Sequence, residues 1–242
     1  MLVLGLVTVL AATFLAGVVG FAYGLVALPA LLLVGVPLDV VVVVNLLVGL
    51  VTRIGVVIRN RRCIDTAPTA LLVAGSLPGM AVGLWVREAV PTRTVELAAG
   101  AMTVVAVLAL SRPARAEPSS RWFPAAALAA GGVGGILGVT TSLNGVPPAL
   151  LLMRRATSAT SMVADLAAYF VVGNTLTVTL LVLGRGADLR PALPLLAVWL
   201  PAGVLGQALG VTVGGRLPQP LFRRLVLAVA LVSGVTSVLQ AW

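Results

Sequence analysis

Residues 64–83 read IDTAPTALLVAGSLPGMAVG, and residues 187–206 read ADLRPALPLLAVWLPAGVLG. Asp65, Pro68, Pro78 and Gly83 of the first stretch fall on Asp188, Pro191, Pro201 and Gly206 of the second at one offset of 123. Upstream, Pro29-Ala30-Leu31-Leu32-Leu33 recurs as Pro148-Ala149-Leu150-Leu151-Leu152 at an offset of 119. Five apolar letters recur readily by chance; four further positions in matched order and spacing do not. The chain holds one apolar design twice, a mark of membrane carriers whose sites lie where repeats meet.

Of 242 residues, 60% are hydrophobic and 10% charged, with a mean hydropathy of +1.15. A soluble domain carries roughly 25% charged residues, so the solvent of this chain is lipid. Crossing ~30 Å of hydrocarbon takes about 20 apolar residues. The arginine, proline and glycine clusters divide the chain into eight runs: 2–34, 38–58, 67–86, 94–111, 122–153, 157–183, 191–213 and 221–240. In lipid these runs are helices, because each backbone N–H needs a partner within its own segment. The fold class expected is an all-α polytopic membrane protein of eight spans in two four-span repeats. The repeats cover residues 1–112 and 122–242, joined by the polar linker 113–121. An even number of spans starts both halves on the same side and makes the repeat parallel. The N-terminus has no basic n-region or small-residue cleavage site and reads as a span, in a multi-pass protein of the cell (inner) membrane.

Sixteen arginines and no lysine face seven acids, for a net charge of +9. Most arginines sit at run ends, where they serve topology and headgroups rather than nucleic acid. With the N-terminus inside and eight spans, eight arginines fall inside and seven outside, which leaves orientation open. Cys63 is the only cysteine and histidine is absent. That excludes an intrachain disulfide, a histidine proton relay and a Ser-His-Asp triad, and no metal or other cofactor is expected.

The first run of each half is too long for one straight span. Residues 2–34 would make a helix of about 50 Å. They are interrupted by Gly17, Gly20, Gly24 and Pro29, and residues 122–153 by Gly131, Gly132, Gly134, Gly135 and Gly138 and then Pro147-Pro148. The expectation is a broken or re-entrant first segment in each half. Broken ends are polar: a half-helix N-terminus offers free N–H groups and about half a positive charge to an anion. Thr140, Thr141, Ser142 and Asn144 crowd the second break, and Tyr23 is the polar counterpart in the first. In the second spans, Asn45 and Arg53 lie opposite Asp165 and Asn174 at offsets of 120 and 121. A repeat axis brings these positions together, with Arg53 near Asp165 or a substrate between them. The candidate substrate-binding residues are thus Tyr23, Asn45, Arg53, Thr140, Thr141, Ser142, Asn144 and Asn174. Asp165 is the candidate for proton coupling, because a carboxyl group away from water keeps its proton more readily. Asp39 and Asp65 sit at span edges and read as caps or loop residues, Asp65 and Asp188 stand three residues before Pro68 and Pro191 as at a helix start, and Gln207 is a lone amide in its run.

The glycine-rich first run leading into Leu28-Pro29-Ala30-Leu31-Leu32-Leu33-Val34-Gly35-Val36-Pro37 resembles the TauE/SafE family of sulfite and sulfonate exporters. So do the basic loop before Ile64-Asp65, the run bearing Gly75, Pro78, Gly79 and Gly83, and the restart at Gly131–Gly138 and Pro148. The second copy departs from the family pattern at Thr140–Asn144 and at Arg154-Arg155. The resemblance implies a secondary transporter of sulfite, thiosulfate or organosulfonates. Its partners are then a small anion and the bilayer, with a homodimer compatible. The alternative is a non-transporting membrane partner or assembly subunit, which predicts no polar interior site. A membrane enzyme is not expected.

Overall fold

The computed structural model describes residues 1–20, 22–111, 121–155, 158–185, 189–214, 227–232 and 234–236. Nine helices follow in order: α1 (Leu2–Val19), α2 (Tyr23–Leu33), α3 (Leu38–Asn60), α4 (Thr66–Ala89), α5 (Thr92–Ser111), α6 (Phe123–Thr141), α7 (Val146–Arg155), α8 (Ala159–Arg185) and α9 (Leu193–Gly214). Residues 227–232 add a further helical piece, and no strand occurs among the described residues. Helices α3, α4, α5, α6, α8 and α9 are long and apolar enough to cross a bilayer. The count is six among the described residues where the runs predicted eight: the first run breaks into α1 and α2, each shorter than a span, and the eighth run is described only in part. Most of the eighth run, and the linker 113–121 apart from Arg121, lie outside the described residues.

Helix α4 starts where its sequence says it must. Asp65 caps it, its side chain accepting from the Ala67 amide at 3.2 Å, and Pro68 follows in the first turn, where a missing N–H costs little. Pro191 precedes α9; its partner Asp188 lies outside the described residues.

Side-chain contacts define two ends of the bundle. At the Cys63 end, Ser161 donates to the Cys63 carbonyl (3.2 Å) and Arg155 pairs with Asp65 (3.5 Å). Arg155 also lies over the Phe123 ring, 4.2 Å from its centroid. The starts of α4, α6 and α8 and the end of α7 therefore meet there. At the opposite, Arg87 end, Arg87 at the close of α4 pairs with Asp39 in the first turn of α3. Helices α6 and α7 thus form a hairpin that enters from the Cys63 end and returns to it. Helix α1 packs parallel to α9 and starts at the Arg87 end, and α3 starts there too, so α1 and α2 form a hairpin entering from the other side. Both first runs turn back inside the bundle, and the first half then holds three helices long enough to cross, α3, α4 and α5.

Glycines set the tightest crossings. Cβ atoms added to Gly75, Gly79 and Gly83 of α4 would meet the backbone of Leu128, Gly132 and Ile136 on α6. Gly206, Gly210 and Gly214 of α9 do the same against Leu10, Phe14 and Val18 of α1. In lipid, where helices gain nothing by hiding apolar surface from each other, close backbone approach supplies the association energy. Helices α3 and α8 run antiparallel between these two pairs.

Gly79→Leu or Gly210→Leu should lower stability by about 1–3 kcal/mol through overpacking. Gly55→Ala, at an α3 position with nothing within 4 Å, should leave it unchanged or slightly higher. Thermal unfolding in detergent, followed by tryptophan fluorescence, checks both.

Candidate functional site

The two hairpin tips meet inside the bundle, between α3 and α8. The α1–α2 tip turns through Gly20 (φ 90°) and Ala22 (φ 82°); Phe21 lies outside the described residues. The α6–α7 tip turns through Ser142 (φ 59°). Ala22 and Ser142 are the described non-glycine residues with positive φ, a conformation costing L-residues roughly 1–2 kcal/mol. Both line one cavity of about 40 Å³.

Helical periodicity selects the rest of the wall. Asn45, Gly49 and Arg53 recur every fourth residue and share one face of α3, while Phe170 and Asn174 share one face of α8. All five line the cavity, with Tyr23 and Gly24 of α2 and Asn144, Gly145 and Val146 before and at the start of α7. Gly49 lets α8 come close: a Cβ there would lie 3.0 Å from Asn174 Nδ2.

The amides knit the tips to the two long helices. Asn45 Nδ2 donates to Ser142 Oγ (3.1 Å), Asn144 Nδ2 to Asn174 Oδ1 (2.7 Å), and Asn174 Nδ2 to the Leu46 carbonyl (3.1 Å). Asn45 Oδ1 and the Tyr23 hydroxyl are buried without a partner. The start of α2 has no side-chain cap, so its first N–H groups depend on whatever occupies the cavity or its walls.

Arg53 is the dominant electrostatic feature. It is only 3% exposed. Its Nη1 donates to the Gly20 carbonyl at 2.9 Å, and its guanidinium carbon lies 5.8 Å from the Phe170 ring centroid. Among the described residues no carboxylate forms an ion pair with it: Asp39 pairs with Arg87, Asp65 with Arg155. A buried charge without a counter-ion is costly, and an anion removes the cost. Arg53 also lines a second, wider space of about 810 Å³, bounded by the ends of α1, α3 and α9 and the start of α8. This vestibule reaches Arg59, Asn60 and Thr160 at the Cys63 end, and among the described residues no acidic one lines it.

Six of the nine residues expected at the site line the cavity: Tyr23, Asn45, Arg53, Ser142, Asn144 and Asn174. Three do not. The Thr140 and Thr141 hydroxyls bond back to the Ile136 and Leu137 carbonyls, both at 2.9 Å, within the last turn of α6. Asp165 Oδ1 accepts from the Asp65 backbone amide at 2.7 Å and ties α8 to the start of α4. Five residues from Phe170, it lies about 140° around α8 from the cavity face, so the expected approach of Arg53 and Asp165 is not made. Phe170 and the Gly20 carbonyl are the contacts the sequence did not flag. An apolar ring and a backbone oxygen carry no polar signal of their own, although Phe170 stands one turn from Asn174.

Short half-helices, a desolvated cation and a positive vestibule describe a helical membrane protein of the transporter class. A family model described as "Sulfite exporter TauE/SafE" matches residues 4–237, and the chain belongs to that family of exporter-type membrane transporters. Searches of curated proteins and of solved structures found no match.

Ala22→Gly should relieve the positive φ and raise stability by about 1 kcal/mol, whereas Ala22→Val, β-branched at that φ, should lower it by more. Melting temperatures of the two variants give the comparison.

Proposed function

We propose that this chain is a secondary transporter that exports a small sulfur oxyanion, bound at Arg53 between the two hairpin tips. The observation that carries this reading is the buried guanidinium without a carboxylate partner, lining both the cavity and the vestibule. The convergence of six polar residues on one cavity favours it over a partner subunit with no interior site.

The halves 1–112 and 122–242 act as inverted repeats in this reading. Exchanging them turns the α1–α9 packing into α6–α4 and leaves the α3–α8 pair on itself. The exchange also relates the two exits. Val18, Thr160 and Val211 line the open vestibule at the Cys63 end. Their counterparts, by offsets of 121 to 124, are Val139, Asp39 and Arg87. There the exit is bridged, for Arg87 pairs with Asp39 and donates to the Val139 carbonyl at 2.8 Å. The pathway is open at one end and latched at the other, as one state of an alternating-access cycle.

Arginine placement orients the cycle. Among the described residues, Arg59, Arg61, Arg62, Arg121, Arg154 and Arg155 lie at the Cys63 end, and Arg87, Arg93, Arg185 and Arg190 at the other. The excess puts the Cys63 end in the cytoplasm of an inner-membrane protein, so the vestibule loads from inside. A negative interior then drives an anion outward by ~2.3 kcal/mol per charge per 100 mV, without ATP.

Arg53→Gln should weaken sulfite binding to the purified protein by about 100-fold, the loss of a charge-assisted contact, while Arg53→Lys retains part of it. Equal affinity in all three proteins would sink the site. In a Cys63→Ser background, a Val56→Cys probe in the vestibule should react readily with a water-soluble maleimide. Adding Arg87→Ala should slow that reaction by opening the opposite exit; an unchanged rate rules the latch out.

A further inference from the structure

The charge count of the cavity defines the protonation state of its occupant, an inference that rests on the anion-binding reading above. Among the described residues, Arg53 is the one charged residue in the cavity wall. Four helix ends converge on it: the N-termini of α2 and α7 and the C-termini of α1 and α6. Each N-terminus carries about half a positive charge and each C-terminus about half a negative one, so the dipoles offset and the guanidinium remains. A monoanion balances it. A dianion leaves one negative charge uncompensated away from water, which buried sites avoid.

Two further observations point the same way. By the measure in which a water needs about 10–15 Å³, the cavity of about 40 Å³ takes a few water-sized groups, the size of one central atom with three oxygens. Asn45 Oδ1, 3% exposed as part of Asn45, is an acceptor in the wall with no donor. A proton on the occupant supplies that donor.

We propose that the pocket binds the singly charged, protonated oxyanion, hydrogen sulfite rather than sulfite, and that the proton crosses on the substrate instead of on a side chain. One negative charge and one proton move together; the proton is released wherever the product solution deprotonates the anion, and no protein group changes its protonation. The titratable groups around the cavity fit this role. Tyr23 and Arg53 line it; Tyr169 is buried behind Asn144, beside Gly134; Arg59 lies in the vestibule; and Asp165 is bonded to the Asp65 amide.

Binding to the purified protein by calorimetry tests the assignment, with sulfite, chlorate and sulfate each at about pH 6 and about pH 8.5. Chlorate is a pyramidal monoanion with no proton to lose, and sulfate is a dianion at both values. Affinity for total sulfite should fall at least about tenfold at the higher pH. Chlorate should bind equally at both, and sulfate about 100-fold more weakly than sulfite at the lower pH. In proteoliposomes, proton movement accompanying sulfite flux should persist in Asp165→Asn. Sulfite binding that holds or strengthens with pH, sulfate binding as well as sulfite, or proton movement lost in Asp165→Asn with sulfite flux intact, overturns the assignment. Binding of none of these anions at either pH is a different failure, that of the anion-transport reading itself.

Discussion

A helix broken inside hydrocarbon exposes amides and carbonyls that lipid cannot satisfy. The structure answers that constraint by bringing two breaks together. The Gly20 carbonyl at one tip accepts from Arg53, and Ser142 at the other accepts from Asn45. The long helices α3 and α8 supply these polar partners because they lie between the tips, and Asn174 returns a bond to the α3 backbone. With the tips covered by side chains, the space between them is a small, largely apolar cavity with a few polar groups and, among the described residues, one positive charge. Site and scaffold are therefore the same arrangement.

The rest of the bundle holds those tips at depth. Helices α1 and α9, and α4 and α6, approach along glycine stripes until backbone meets backbone. Each pair joins one helix from before residue 112 to one from after residue 121. A shift of either pair moves a hairpin tip with it, because α1 ends in one tip and α6 in the other. The glycine pairs are close-packed units on either side of α3 and α8, and the Arg87–Asp39 bridge joins α4 of one pair to α3.

Much of this was legible in the residues. Composition required helices in lipid. Glycine and proline spacing located both breaks to within a few residues of Gly20 and Ser142. The Asp65-to-Gly83 frame marked a capped helix start and a packing glycine, and both roles are found. Asn45 and Arg53 were marked by their polarity inside an apolar run, and the structure adds the fourfold spacing that sets them with Gly49 on one face of α3. Thr140 and Thr141 read as ligands because sequence shows a hydroxyl but not its partner; each is bound by its own helix four residues back. Asp165 matched Asn45 in offset, yet a repeat fixes depth better than it fixes rotation about the helix.

By itself, then, the sequence determined what short-range physics controls: helical class, membrane solvent, the capped start of α4 and the places where a helix must break. The tertiary structure alone decided that the broken segments turn back rather than cross. That single choice leaves the first half with three helices long enough to cross, α3, α4 and α5, where four runs were expected to. It also decided that Arg53 meets Gly20 and Phe170 instead of Asp165. Both outcomes depend on which helix faces pack across the bundle, and long-range packing among interchangeable apolar surfaces leaves no mark at fixed sequence spacing.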